Sequence, residues 1–325
     1  MNEPQKAEFE FHDSSSTPMS SESFHVPFIG HLPGYLEEIS KTGSARPDEN
    51  VYNNHLMSQW ERLLNSEASK SESLVQKFLE QHPSLLPGSN SVDGNSGHLA
   101  FPTALITQPK LPGMSDRQPD FMWIAKDSLS VYPILIEIET PHKKWFYGEK
   151  AEIHSDLSHA QGQLAEWRAW FNRGHNRSAF FDYYELPSYM GRMAIKPRFV
   201  LIHGRRCDYT KDRRRIEKAA ELAREDERLM SFDRLAPGKN STLYGTVRRS
   251  QNEYEVVAVP PSFSVINNQR HYISAQGWED VIRATGDMPA ERQQFLTATI
   301  EEMLQDPHFG SYQWGGRWIH RPQWL

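Results

Sequence analysis

The stretch QPDFMWIAKDSLSVYPILIEIETP, residues 118–141, holds two apolar β-type runs joined by the turn signal KDSLS, with acids at their outer ends. A strand is expected to start at Asp120, because a proline immediately before it, Pro119, is tolerated at a strand beginning. The run VYPILIEIE is β-branched and apolar enough for a central strand, and Pro133 puts its first residues near an edge. Alternate residues of a strand face the same way, so Glu137 and Glu139 should project from one face while Ile136 and Ile138 point to the other. Asp120, at the head of the paired strand, supplies a third carboxylate. Burying such acids is costly unless a cation or hydrogen-bond donors compensate. A hard divalent ion, Mg2+ or Mn2+, takes oxygen ligands of this kind, activates a water as nucleophile and neutralises charge on a phosphodiester under attack.

Upstream, HLMSQWERLLN and SESLVQKFLEQHP have helical spacing, the second with Leu74, Val75, Phe78 and Leu79 on one stripe and Pro83 closing it. LAFPTALITQP reads as a strand ending near Pro109. Downstream, SDLSHAQGQLAEWRAWF predicts a helix with Leu157, Ala160, Leu164, Trp167 and Phe171 on its buried stripe and Ser155 or Asp156 as cap. RFVLIHG follows as a strand, TKDRRRIEKAAELAREDER as a long polar helix, and RLMSFDRLAP as a short strand leading into a turn. LYGTVRR and EYEVVAVP form a hairpin, and ERQQFLTATIEEMLQ a last helix before an aromatic tail. This succession implies an α/β sheet with helices on its faces. The expected organisation is a flexible acidic segment at 1–50, a core at 51–240, and a hairpin-and-helix elaboration at 241–325.

The 325 residues, 38% apolar with nine Trp, are enough for a substantial core. A single cysteine, Cys207, excludes an internal disulfide or a cysteine-rich zinc module and suits a reducing compartment, with the cytoplasm as the expectation. No signal peptide or membrane span is legible, which predicts a soluble protein. The net charge of −6 resides in residues 1–50, which hold nine acids and three bases and leave 33 of each in the remainder. Within that neutral body Arg205, Arg206, Lys211, Arg213, Arg214, Arg215 and Lys218 concentrate positive charge able to meet phosphates. A P-loop, a His-Glu-x-x-His pair and a Gly-x-Ser-x-Gly elbow are all missing from the sequence, which speaks against a nucleotide-driven motor, a zinc protease and a serine hydrolase.

From Glu72 to Leu235 the chain resembles the PD-(D/E)xK nuclease superfamily and, within it, the Shedu-type anti-phage defence nucleases. ESLVQKFLEQHPSLLPG resembles the opening helix, QPDF the first acid, IEIETP the second acidic strand, and QLAEW the Gln-x-x-x-Tyr helix with Trp167 in the aromatic place; PRFVLIHGRR and MSFDRL resemble the later strands. The resemblance implies a restriction-endonuclease-like central mixed sheet flanked by helices and a nuclease that acts on DNA with Mg2+ or Mn2+. It further implies a homo-oligomer and a phage-derived trigger. Carried over residue by residue, Asp120 and Glu137 ligate the metal, Gln163 positions the attacking water or the phosphate, and Glu72 completes the site. Where the pattern has a lysine two residues after the second acid, this chain has Glu139. Two compensations stay open: a lysine supplied from the following turn by Lys143 or Lys144, or a second metal ion on Glu139. Lys143, Lys144, Arg205, Arg206, Arg213 and Arg214 are the candidate nucleic-acid contacts, although a solvated loop is the simpler expectation for the two lysines. The alternative function is a nucleic-acid-binding or phage-sensing module that keeps the fold without the lysine.

Overall fold

The computed structural model describes residues 48–90, 98–114, 118–250, 253–265 and 275–305, together with the backbone of 311–314 and 317–320. The flexible segment expected at 1–50 lies almost wholly outside the described residues. In chain order the elements begin with helices α1 (Glu49–Leu64) and α2 (Glu72–Gln81), followed by strands β1 (Ala104–Thr107), β2 (Phe121–Lys126) and β3 (Ser130–Ile138). A small hairpin, β4 (Phe146–Tyr147) and β5 (Glu152–Ile153), leads to helices α3 (Ser155–Phe171) and α4 (Gly174–Tyr183). Then come β6 (Ala194–Ile195), β7 (Arg198–Ile202), helices α5 (Arg206–Tyr209) and α6 (Arg213–Glu221), and β8 (Glu227–Met230). Last are β9 (Gly245–Ser250), β10 (Glu253–Ala258), α7 (Trp278–Ala284), α8 (Ala290–Gln305) and the hairpin β11 (Ser311–Trp314) with β12 (Arg317–His320).

The main sheet runs β10-β9-β1-β2-β3-β7-β8, with β6 also paired to β3. It is mixed: β1–β2, β2–β3 and β9–β10 are antiparallel, whereas β1–β9, β3–β7 and β7–β8 are parallel. Period-two alternation sorts its side chains into two cores. Phe121, Trp123, Ile134, Ile136 and Ile138 pack with Trp60, Val75 and Leu79 of α1 and α2. Met122, Ile124, Val131 and Leu135 pack with Leu157, Ala160, Leu164 and Trp167 of α3. The chain is thus a mixed α/β protein whose central sheet is flanked by helices.

Several expectations are corrected. Pro133 is not at an edge: it pairs with Ile124 of β2, and on its other side falls between the residues paired to β6 (Ser130, Val131) and those paired to β7 (from Ile134). A missing N–H is tolerated at such a gap in the ladder. Leu74 is 47% exposed and falls outside the inward stripe of α2, which buries Val75 and Leu79 and packs Phe78 partly buried against the same core. The cap of α3 is His154, whose Nδ1 accepts from the backbone of Asp156, rather than Ser155 or Asp156. The long polar helix shrinks to α6, closed at Leu222, because Asp226 and Glu227 are drawn to Arg168 on α3. Finally, the boundary expected at 240/241 runs through the sheet, since β9 pairs with β1.

Candidate metal-type carboxylate site

Strands β3, β7 and β8 end in register, Ile138 beside Ile202 and Ile202 beside Met230. In open α/β sheets ligands gather outside such carboxyl ends. The pairing of Phe121 with Ile136 makes Asp120 and Glu137 the next cross-strand neighbours, on the α3 side of the sheet by alternation. Asp120 Oδ2 accepts from the backbone N–H of Ile138 at 2.8 Å. Glu137 and Glu139 are both 7% exposed, and Glu137 Oε2 is buried without a hydrogen-bond partner among the described residues.

The electrostatics follow from that crowding. Burial pushes the Asp120 carboxyl up, and Glu72 and Glu139 add to the effect against the opposing bond from Ile138. Glu137 is raised further, first by burial and then by Asp120, Glu139 and Glu72. Glu72, in the first turn of α2, is raised by desolvation and by Glu139. Four carboxyls from three elements therefore share one field.

The cation in this field is Lys143. Its ammonium donates to Glu139; burial works against the charge, but that bond and the charges of Asp156 and Glu72 outweigh it and hold its pKa above the ordinary value. The turn that presents it is tied down throughout. Glu139 N–H donates to Ile202 O at 2.9 Å, Lys143 N–H to Thr140 O, and His142 Nε2 lies 2.9 Å from Ser69 Oγ. Trp145 donates its indole N–H to His203 O at 2.7 Å and its backbone N–H to Asp208 at 2.6 Å. Gly204 has φ +58°, and a Cβ there would overlap the carbonyl oxygen of Lys143. Lys143 is thus held beside the acids and is not the solvated loop residue expected, whereas Lys144 is exposed and, among the described residues, bonds through its carbonyl alone, to His203.

Of the remaining sequence candidates, Gln163 is half-buried on α3 and makes no hydrogen bond with these carboxyls among the described residues. Arg205 is engaged with Asp233 at 2.9 Å and with Leu64 O, and Arg213 with Glu217. Arg206 and Arg214 are exposed. His203 and Asp156 were missed by sequence reasoning. His203 is fully buried, with Nδ1 unpartnered among the described residues and its pKa lowered by burial, and the charges of Glu139, Lys143 and Asp156 all act on it. The only signal for it was a histidine beside a glycine at the end of a strand.

The donor set is all hard oxygen, and the buried, unpartnered Glu137 Oε2 beside Asp120 fits a divalent ion such as magnesium, which takes one or two carboxylates and keeps waters. Among the described residues, no three His, Cys, Asp or Glu side chains are arranged closely enough to hold a metal by themselves. This leaves Asp120 and Glu137 as the fitting pair. Among the described residues no helix is long and apolar enough to cross a membrane.

No curated protein matches the chain. A family model described as Shedu protein SduA, C-terminal, matches residues 69–236, just over half of the sequence and the part that contains every carboxyl of the site. The chain belongs to the Shedu SduA family.

Proposed function

We propose that the protein is a metal-dependent nuclease of the PD-(D/E)xK type, with a restriction-endonuclease-like core, that hydrolyses DNA in anti-phage defence. The observation that carries this reading is the cross-strand pair Asp120–Glu137, both raised in pKa first by burial, with a buried Glu137 oxygen that has no hydrogen-bond partner among the described residues. Buried carboxyls whose charge is disfavoured by their surroundings mark functional sites, and a bound cation would offset that penalty by holding them ionised. Asp120 and Glu137 would hold Mg2+ or Mn2+, with Glu139 and Glu72 adding negative field. Such an ion supplies an activated water and charge neutralisation at the phosphate.

Lys143 takes the part that Glu139 cannot. Because its pKa is held above the ordinary lysine value it stays an ammonium at neutral pH, so it serves as a fixed positive charge and not as a proton acceptor. Glu139 accepts from that ammonium, and an oxygen of a bound phosphate would take the place of Glu139 as its acceptor. The family membership supports the defence role, and a nuclease that must stay silent in its own cell calls for a homo-oligomer and a phage-derived trigger as control.

The test is purified full-length protein with Mg2+ or Mn2+ on plasmid and linear DNA. Cutting is expected, and Asp120→Ala or Glu137→Ala should abolish it with the secondary structure unchanged; persistent cutting by both variants would overturn the assignment. The second reading, a non-catalytic nucleic-acid-binding or phage-sensing module, is favoured by Glu139 at the lysine place of the pattern. DNA binding without cleavage under any divalent metal would select it.

A further inference from the structure

The β4–β5 hairpin follows directly from Lys143, and its outward side chains make no contribution to the core. Phe146 is buried beneath it, but Tyr147 is 51% and Ile153 37% exposed. The Tyr147 ring stands edge-on to His154 at 6.3 Å, and His154 caps α3 beside Asp156, whose charge acts on Lys143. The hairpin therefore rims the carboxylate site.

Its backbone is fastened to the basic helix α6. Arg215 donates to Gly148 O at 2.9 Å and to Phe146 O at 3.5 Å, and Lys218 donates to Lys150 O at 3.1 Å and Ala151 O at 2.9 Å. Hairpin and helix thus form one surface. The neighbouring Lys211, Arg213 and Arg215 each face a carboxylate. Lys144 at the hairpin root, Lys150 near its tip, Arg206 on α5 and Arg214 on α6 are exposed, and their charged side chains have no carboxylate partner among the described residues, Arg206 meeting Asp233 through its backbone N–H alone. Cations without acidic partners keep their full attraction for phosphates, and an exposed ring beside them offers a face on which a base stacks.

We propose that the β4–β5 hairpin together with α5 and α6 is the platform on which a DNA strand lies beside the carboxylate site. Lys144, Lys150, Arg206 and Arg214 meet phosphates and Tyr147 stacks on a base; the identity of the strand rests on the nuclease reading above. An acidic polypeptide would satisfy the cations but would leave the tyrosine ring without a planar partner.

The experiment is equilibrium binding of the full chain to a fluorescent single-stranded oligonucleotide without divalent metal, so that cleavage plays no part. Lys144→Ala/Lys150→Ala is expected to weaken binding about tenfold or more at low salt and to reduce the slope of log affinity against log salt by about 1–2. Tyr147→Ala should lose about tenfold while Tyr147→Phe retains affinity. Thermal melting of each variant checks the fold. Wild-type affinity and salt slope in the double lysine variant, or absence of binding by the wild type, would overturn the platform. Competition by polyglutamate as effective as that by the oligonucleotide would overturn it in favour of an acidic protein partner. A wild type that binds through these residues yet never cuts with Mg2+ or Mn2+ would remove the nuclease reading and leave the platform standing.

Discussion

Asp120 and Glu137 were legible because a strand has a period of two and a hairpin turn sets which residues lie opposite each other. Lys143 could be read only as one of two lysines open for the missing charge, because its place depends on a left-handed turn at Gly204 and on Trp145 bonding to His203, contacts far away in sequence. If Lys143 is the charge that the site needs, Lys143→Ala should lower the cleavage rate by about 100-fold or more in a plasmid-nicking assay, with metal affinity nearly unchanged. Another prediction concerns His82, buried and 2.7 Å from the Tyr52 hydroxyl. Burial, aided by His55, lowers its pKa to about 4. The unfolded chain, with an ordinary imidazole, then binds more protons than the folded one between about pH 6.5 and 4, so stability falls as pH drops through that window. The loss is on the order of 3 kcal/mol at the acid end, from a shift of 6.5 to about 4. Thermal melting from pH 7 to 4.5 should show it, with a shallower slope in His82→Asn.

Among the elements, α1, α2, α3 and β1–β3 were readable from periodicity, whereas the neighbour of β1 was not. A hairpin pattern announces that β9 pairs with β10 but carries no information about the third strand that either will join. The extent of α6 also escaped, since Arg168 on α3 claims Asp226 and Glu227 through bonds of 2.5–2.8 Å that only the fold creates. The turn after β7 is the element on which the site depends most. Gly204→Ala would place a methyl into the Lys143 carbonyl at a backbone angle that L side chains rarely adopt. We expect it to lower the melting temperature and, through displacement of Lys143, to lower the cleavage rate more than Tm alone accounts for. Asp120→Ala/Gly204→Ala compared with the two single variants would report whether both act on one centre.

In the molecule as a whole, the family match at 69–236 covers the site but not the full sheet. Trp60 of α1 packs in the same core as Trp123 and donates to Phe232 O, Ser241 bonds to Glu49, and Thr246 on β9 bonds to Glu80 O. A fragment of residues 69–236 should therefore be insoluble or lack cooperative unfolding by circular dichroism, while 48–305 should melt in a single transition; a well-folded short fragment would refute this. The parallel register of Ala104 with Gly245 has one more consequence, for biosynthesis. The ribosome releases both acidic strands and Lys143 long before β9 exists, and closure of so distant a pairing is slow. A polypeptide cut short by premature termination would carry the acids and the ammonium yet never finish the scaffold that aligns them, so under the nuclease proposal an unfinished copy would be harmless to the cell making it.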